Sequence, residues 1–264
     1  MKIACTLIAF GAAAALVAPA AAVQKPRWEV GIGAAGTYQP AYYGANDYSA
    51  GGFPIVYFSY RGDDFSFLPN GLFDVASYDK SRFGVGVSFD VTGDIKSKDR
   101  LNLGKIDYVF EAGPELTVAL LATGRSRIEL NVAGRAAYEW NGDFEGWVLE
   151  PELAFLTTLT STTRLGLSAA PKFGFGKYND FFYSAPAAGT RPAFDAQEGY
   201  LGTAISLKLV NDVTDRLRIS GEVTGIVVSG SKVEDSPLVE EDFNFAARIA
   251  VTYSLWQSDE MVDY

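Results

Sequence analysis

Charged side chains recur at every second position in several otherwise apolar stretches of this sequence. In RIELNVAGRAAYE, Arg127, Glu129, Arg135 and Glu139 alternate with Ile128, Leu130, Val132, Ala136 and Tyr138. In DRLRISGEVTGIVV, Arg216, Arg218 and Glu222 alternate with Leu217, Ile219 and Val223. The same phase collects Glu111, Glu115, Glu150, Glu152, Arg164, Lys172, Lys208 and Arg248. Charges taken out of bulk water must be paired or hydrated. A row of this kind therefore either fills a narrow interior with cross-strand ion pairs or lines a hydrated pore that selects a solute. The two signs are interspersed, which favours filling, because a selective constriction concentrates one sign.

Other chemistry is thin. The chain of 264 residues has no histidine, and its one cysteine is Cys5. Ser-His and Cys-His nucleophiles and the usual zinc sites are thereby excluded. The Asp and Glu residues form no distinctive two-carboxylate motif, so no catalytic residue, cofactor site or metal site is expected. The net charge of −10 gives a nucleic-acid partner no electrostatic support.

Period-two alternation means strands with two chemically different faces. Twelve segments carry it, at about 28–38, 53–61, 64–68, 72–78, 82–92, 106–121, 125–139, 147–159, 163–175, 198–210, 215–228 and 243–256. Several exceed the five or six residues usual in a soluble sandwich and approach the length of a tilted bilayer-crossing strand. Their connections alternate. GDD, DKS, the region of ATGRS, TSTT and NDVTD are short, whereas 39–52, 93–105, 140–146, 176–197 and 229–242 are longer. Aromatic residues gather near strand ends, among them Trp28, Tyr38, Tyr138, Trp140, Trp147, Tyr253 and Trp256. The pattern predicts an all-β, transmembrane, antiparallel up-and-down barrel of about 12 strands, with short periplasmic turns and long extracellular loops. An even strand count goes with that topology. Pro114, Pro151 and Pro171 fall inside strands and predict bulges or kinks there.

Residues 1–22 read as a cleaved secretory signal, with Lys2, an apolar run to Val17 and small residues at Ala20, Ala21 and Ala22. The expected mature organisation is a barrel over 23–256 and a C-terminal tail over 257–264. Three loops stand out. Lys96, Lys98 and Arg100 suit either lipopolysaccharide phosphates or plain solvation. Glu234, Asp235, Glu240, Glu241 and Asp242 show no ordered cation-ligand spacing. In KYNDFFYSAPAAGTRPAFDAQ, the apolar Tyr178, Phe181, Phe182 and Tyr183 either fold over the barrel mouth as a plug or form a contact surface.

Taken in order, YQPAYYGANDYSAGGFPIVYFSYRGDDFSF, GPEL, GKYNDFFYSAP, RPAFDAQEGYLGTAISLKLVNDVTDRLRISGEVTG and KVEDSPLV resemble the MipA/OmpV family (MltA-interacting protein and its relatives) over essentially the whole mature chain. The resemblance implies a non-enzymatic barrel in the Gram-negative outer membrane, in contact with lipid and lipopolysaccharide and inserted by the barrel assembly machinery. It further implies a scaffold between a lytic transglycosylase and a peptidoglycan synthase, other relatives being associated with osmotic response or adhesion. The alternative from the residues alone is a small diffusion channel for polar solutes. One departure is QSDEMVDY after Trp256, since such barrels usually end on an aromatic residue, here either Trp256 or Tyr264.

Overall fold

The computed structural model describes residues 24–263 except 64, 68–69, 72–82, 93, 124 and 143. The signal segment with Cys5, the strand expected at 72–78, the DKS turn and Tyr264 lie outside the described residues. The strands are β1 (Gln24–Pro26), β2 (Trp28–Pro40), β3 (Tyr48–Arg61), β4 (Phe65–Phe67), β5 (Asn70–Gly71), β6 (Phe83–Thr92), β7 (Val109–Thr123), β8 (Ser126–Glu139), β9 (Glu145–Thr158), β10 (Thr163–Gly176), β11 (Gly199–Asp212), β12 (Leu217–Val227), β13 (Phe243–Gln257) and β14 (Met261–Asp263). One helix, α1 (Tyr178–Tyr183), and a 3-10 turn at Ser97–Arg100 complete the described elements.

Twelve strands form one sheet, ordered β4-β3-β2-β13-β12-β11-β10-β9-β8-β7-β6-β5. Eleven of them close a ring, because β4 also pairs with β6, and that pairing is parallel. An up-and-down ring with an odd number of strands must bring two parallel strands together at its seam. The seam here is β4–β6, with β5 continuing parallel along the same edge of β6. The barrel is as expected and its strand number is close to it, but the even count and all-antiparallel pairing give way at this seam.

The longest ladders run between sequence neighbours, and β13 joins β2 to bring the two ends of the barrel sequence together. Connections at 62–63, 125, 159–162 and 213–216 lie at one end, with 41–47, 94–108, 140–142, 177–198 and 228–242 at the other. Proline marks two of the ladder interruptions. The β9–β10 pairing stops between Leu153↔Ala169 and Leu149↔Phe173, the interval containing Pro151 and Pro171. Pro114 falls where β7 and β8 skip from Ala112↔Ala136 to Glu115↔Ala133. A residue without an N–H cannot contribute to the ladder on its donor side.

The outward face is apolar and open. Val56 is 74 % exposed and Ile249 58 %, at positions well inside their strands. Each such side chain left in water would forgo about 1.5–3 kcal/mol of burial, so this face belongs in lipid. Trp28 and Trp256 ring the short-turn end. Tyr38 stacked on Tyr48, and Trp147 stacked on Phe175, ring the other end. No described helix is long and apolar enough to cross a membrane, which says nothing about a barrel.

Candidate functional site

Alternation in β7, β8 and β10 turns Glu111, Arg135 and Lys172 to the lumen, and their strand positions bring the three together near the long-loop end. The Glu111 carboxylate is wholly buried. It accepts Lys172 Nζ at 2.8 Å, Arg135 Nε at 3.0 Å and the Tyr178 hydroxyl of α1 at 2.6 Å. Arg135 reaches on to Ser88 Oγ at 3.0 Å and Glu150 at 2.9 Å. Lys172 Nζ also sits 5.3 Å from the Tyr178 ring centroid, within cation–π reach. An isolated buried carboxylate is prohibitively costly; one held by two cations and a hydroxyl is not.

Above this network the loops form an apolar cap. Phe182 and Tyr183 of α1 are buried against Tyr42, Phe144, Val233 and Leu238, which come from three different long loops. Phe181 is partly buried and stacks on Phe144 with ring centroids 3.9 Å apart. Gly174 lets the helix approach, since a Cβ there would overlap the Asn179 amide oxygen. Gly44, at φ +89°, ties two loops: its carbonyl accepts the Glu240 and Glu241 amides, and its own N–H donates to Asn244 at 2.6 Å. Ser236 Oγ donates to the Tyr183 carbonyl at 2.6 Å. Burial, then the Glu111 charge beside it, holds the Tyr178 hydroxyl well above the ordinary phenol range.

At the short-turn end the closure is ionic. Residues of β1 and β14 pair outside the barrel, Lys25 opposite Val262, and the Lys25 side chain enters the lumen. Its Nζ lies 2.6 Å from Asp212, which also accepts Arg218 Nε at 2.9 Å and lies 3.0 Å from Arg164 Nη2. Glu29 accepts the Arg61 guanidinium and Ser59 Oγ, and Arg61 also donates to the Pro26 carbonyl at 3.0 Å. Burial, then the neighbouring Arg218, pulls the Lys25 ammonium down from 10.5 to about 8.

Between the two ends lies a cavity of about 270 Å³. Small inward residues make its room, including Gly84, Ala154, Gly166, Ser168, Ala204 and Ala246. Charged residues border it. Arg127 pairs with Glu129 at 2.7 Å, Asn131 donates to Glu152 at 2.8 Å, and Lys208 stands 3.9 Å from Glu222.

Of the residues singled out from sequence, Glu111, Arg135 and Glu150 meet in the upper network. Glu115, Arg127, Glu129, Glu152, Glu222 and Arg248 border the cavity. Arg164 and Arg218 join the lower cluster. Arg216 does not reach the lumen: it precedes β12, is exposed in the turn, and donates to the Leu255 carbonyl at 3.2 Å. Its alternation with Leu217 holds in sequence, but the strand has not yet begun. Arg100 is buried, donating to the Phe181 carbonyl at 2.7 Å, whereas Lys96 and Lys98 are exposed. Lys25, Glu29, Arg61 and Asp212 were not anticipated. The phase of WEVGIGAAGTY does place Glu29 inward; nothing local marks Lys25. Among the described residues no group of three His, Cys, Asp or Glu is placed to hold a metal ion.

An apolar belt, aromatic girdles and a polar interior within a closed ring define an outer-membrane β-barrel. The profile of the family described as MltA-interacting protein MipA matches residues 32–255, and the chain belongs to that family. Its seat is accordingly the outer membrane. The fold is similar to the COG4313 outer membrane channel from Pseudomonas putida F1, at 12% identity and TM-score 0.51, over 86% of this chain and 96% of that one. Weaker likenesses include OmpT of Vibrio cholerae (11% identity, TM-score 0.36, 89% and 99% covered) and the Pseudomonas putida toluene transporter TodX (10% identity, TM-score 0.32, 87% and 68% covered). No curated protein matches the chain.

Proposed function

We propose that this barrel is a non-enzymatic interaction protein that docks envelope enzymes at its periplasmic end. The observation that carries the reading is the use of the lumen. Glu111, Arg135 and Lys172 are committed to one another and to α1. At the other end Asp212 is committed to Lys25, Arg164 and Arg218. Side chains used in this way fill and brace a barrel, and the loop aromatics Tyr178, Phe182 and Tyr183 act as its plug.

A partner must then be met outside the lumen. The short turns alone offer little surface, but the β1–β14 ribbon adds to them, with Met261 exposed on it. The family description, MltA-interacting protein, supports a lytic transglycosylase as the partner class; a peptidoglycan synthase is the second partner of this reading, so that murein cleavage and synthesis occur at one place. The absence of histidine and of a mature cysteine supports a role without catalysis.

Crosslinking in cells followed by purification and mass spectrometry tests this. The intact protein is expected to recover a lytic transglycosylase above an unrelated control barrel, and a chain ending at Gln257 is expected to lose that recovery while keeping heat-modifiable gel mobility. Equal recovery by the control barrel would remove the interaction role. Stepwise conductance of the purified protein in planar bilayers would favour a diffusion channel instead.

A further inference from the structure

We propose that the lumen cavity is a binding site for a small zwitterion, an amino acid or short peptide whose carboxylate meets Arg127 and whose ammonium meets Glu152. The proposal does not depend on the docking role, and the two fail separately: a failed pull-down leaves ligand binding untouched.

Two cavity-lining groups have an unmet demand of opposite sign. Arg127 is 2 % exposed and uses Nε for Glu129, but its Nη1 is a buried donor with no protein acceptor. A buried cationic N–H left in this way costs free energy that an anionic oxygen would recover. Glu152 shows the converse. Its carboxylate is held by the neutral side chains of Asn131 and Ser168, and its charged neighbours are Glu150 and Glu222. Among the described residues no cation stands within salt-bridge distance of it. Nearer the long-loop end, Arg135 is matched to Glu111 and Glu150, and Lys172 to Glu111.

The spacing selects the ligand class. Asn131 is opposite Glu152, and Arg127 is opposite Leu156, so the two groups start four residues apart along β9. That is about 13 Å between backbones at about 3.3 Å per residue. Arg127 leans toward Glu129 and so shortens the gap. An ion contact of roughly 3 Å at each end leaves a few ångströms, the separation of the termini in an amino acid or a peptide of two residues. The wall between includes Ala154, Gly166 and Ser168, which leave room for a backbone and small side chains, with Glu129 beside them held to Arg127. A plain anion or a plain cation would satisfy only one of the two groups.

Calorimetric titration of the detergent-solubilised full barrel with glycine, diglycine and triglycine tests this, alongside N-acetyl-diglycine and diglycinamide. A member of the unblocked series is expected to bind, with either blocked end weakening binding about tenfold or more. Glu152→Gln is expected to abolish discrimination against the acetylated amine while preserving discrimination against the amide. Arg127→Gln is expected to do the reverse. A variant that merely misfolds could not produce this crossed pattern, and heat-modifiable mobility monitors the fold. No heat from any unblocked member at millimolar concentration, equal binding of blocked and free peptides, or variants that affect both ends alike would each overturn the proposal.

Discussion

Phe182 and Lys25 occupy opposite ends of one barrel, and both are almost fully buried, yet they are held by different forces. Phe182 sits among Tyr42, Phe144 and Leu238 in a cap assembled from several loops, anchored to charged groups where Tyr178 meets Glu111 and where Arg100 meets the Phe181 carbonyl. Lys25 enters a cluster of Asp212, Arg164, Arg218, Glu29 and Arg61, supported by a ribbon only three residues long. The cap gains from apolar area, which is non-directional and insensitive to pH. The ionic end gains only if every charge stays matched, and losing one partner leaves the rest exposed to the full desolvation cost. One end should therefore respond to truncation of side chains and the other to charge and pH.

The sharpest break of this contrast lies where the two chemistries meet. Glu111→Ala removes the buried carboxylate shared by Lys172 and Arg135, leaving Lys172 with Asp90 at 3.9 Å and Arg135 with Glu150. It is expected to cost about 3–5 kcal/mol, read as a lowered temperature of heat-modifiable gel mobility. A temperature like that of the wild type would show the upper network to be dispensable and the cap to stand alone. Next comes Phe182→Ala, expected to cost about 3 kcal/mol of loop docking. It should expose 184–198 to proteolysis while leaving the strands protected. Protection equal to the wild type would mean the cap is not held by its apolar contacts. Tyr178→Phe keeps the ring and removes one hydrogen bond to a charged group, for about 2 kcal/mol, so cleavage of the same loop should rise less than with Phe182→Ala. The reverse order would make the anchor, not the cap, the dominant restraint.

The sequence made the strands legible because each alternates under two solvents, lipid outside and a polar lumen inside, and the phase of Arg127, Glu129 and Arg135 carried straight into the structure. Arg216 shows the limit of that rule: periodicity fixes a face only where the strand has formed, and here it sits in the turn. The seam was hidden for another reason. Whether β4 and β5 are two strands or one depends on how the ring closes, which is set by the whole sheet and not by the composition of 64–71. Arg100 and Lys25 were illegible in the same sense. Each looks like an ordinary exposed base in sequence, and each is buried by partners distant along the chain, Phe181 for one and Asp212 for the other. The aromatic loop posed a choice between plug and contact surface because its composition suits both; the burial of Phe182 and Tyr183 among Tyr42, Phe144 and Leu238 supports the plug we propose.

The smallest expected effect is the pH response of the ionic end. Burial, aided by Arg218, lowers the Lys25 ammonium from 10.5 to about 8, so the seated residue binds its proton less tightly than the released one. Between those two values the released form holds more protons, and by linkage the seated form becomes relatively more stable as pH rises. Below about 8 both forms are protonated and the dependence disappears. From pH 7 to 9 the gain is roughly 1 kcal/mol. Amide hydrogen exchange across 24–28, corrected for the intrinsic pH dependence of exchange, should therefore show greater protection at pH 9 than at pH 7. Lys25→Met should flatten that difference, whereas Phe182→Ala, at the other end, should leave it intact. Protection that falls with rising pH would mean that the charge on Lys25 is a net attraction to Asp212 strong enough to outweigh its burial. The short-turn end would then be a conventional ion pair, and not a strained one.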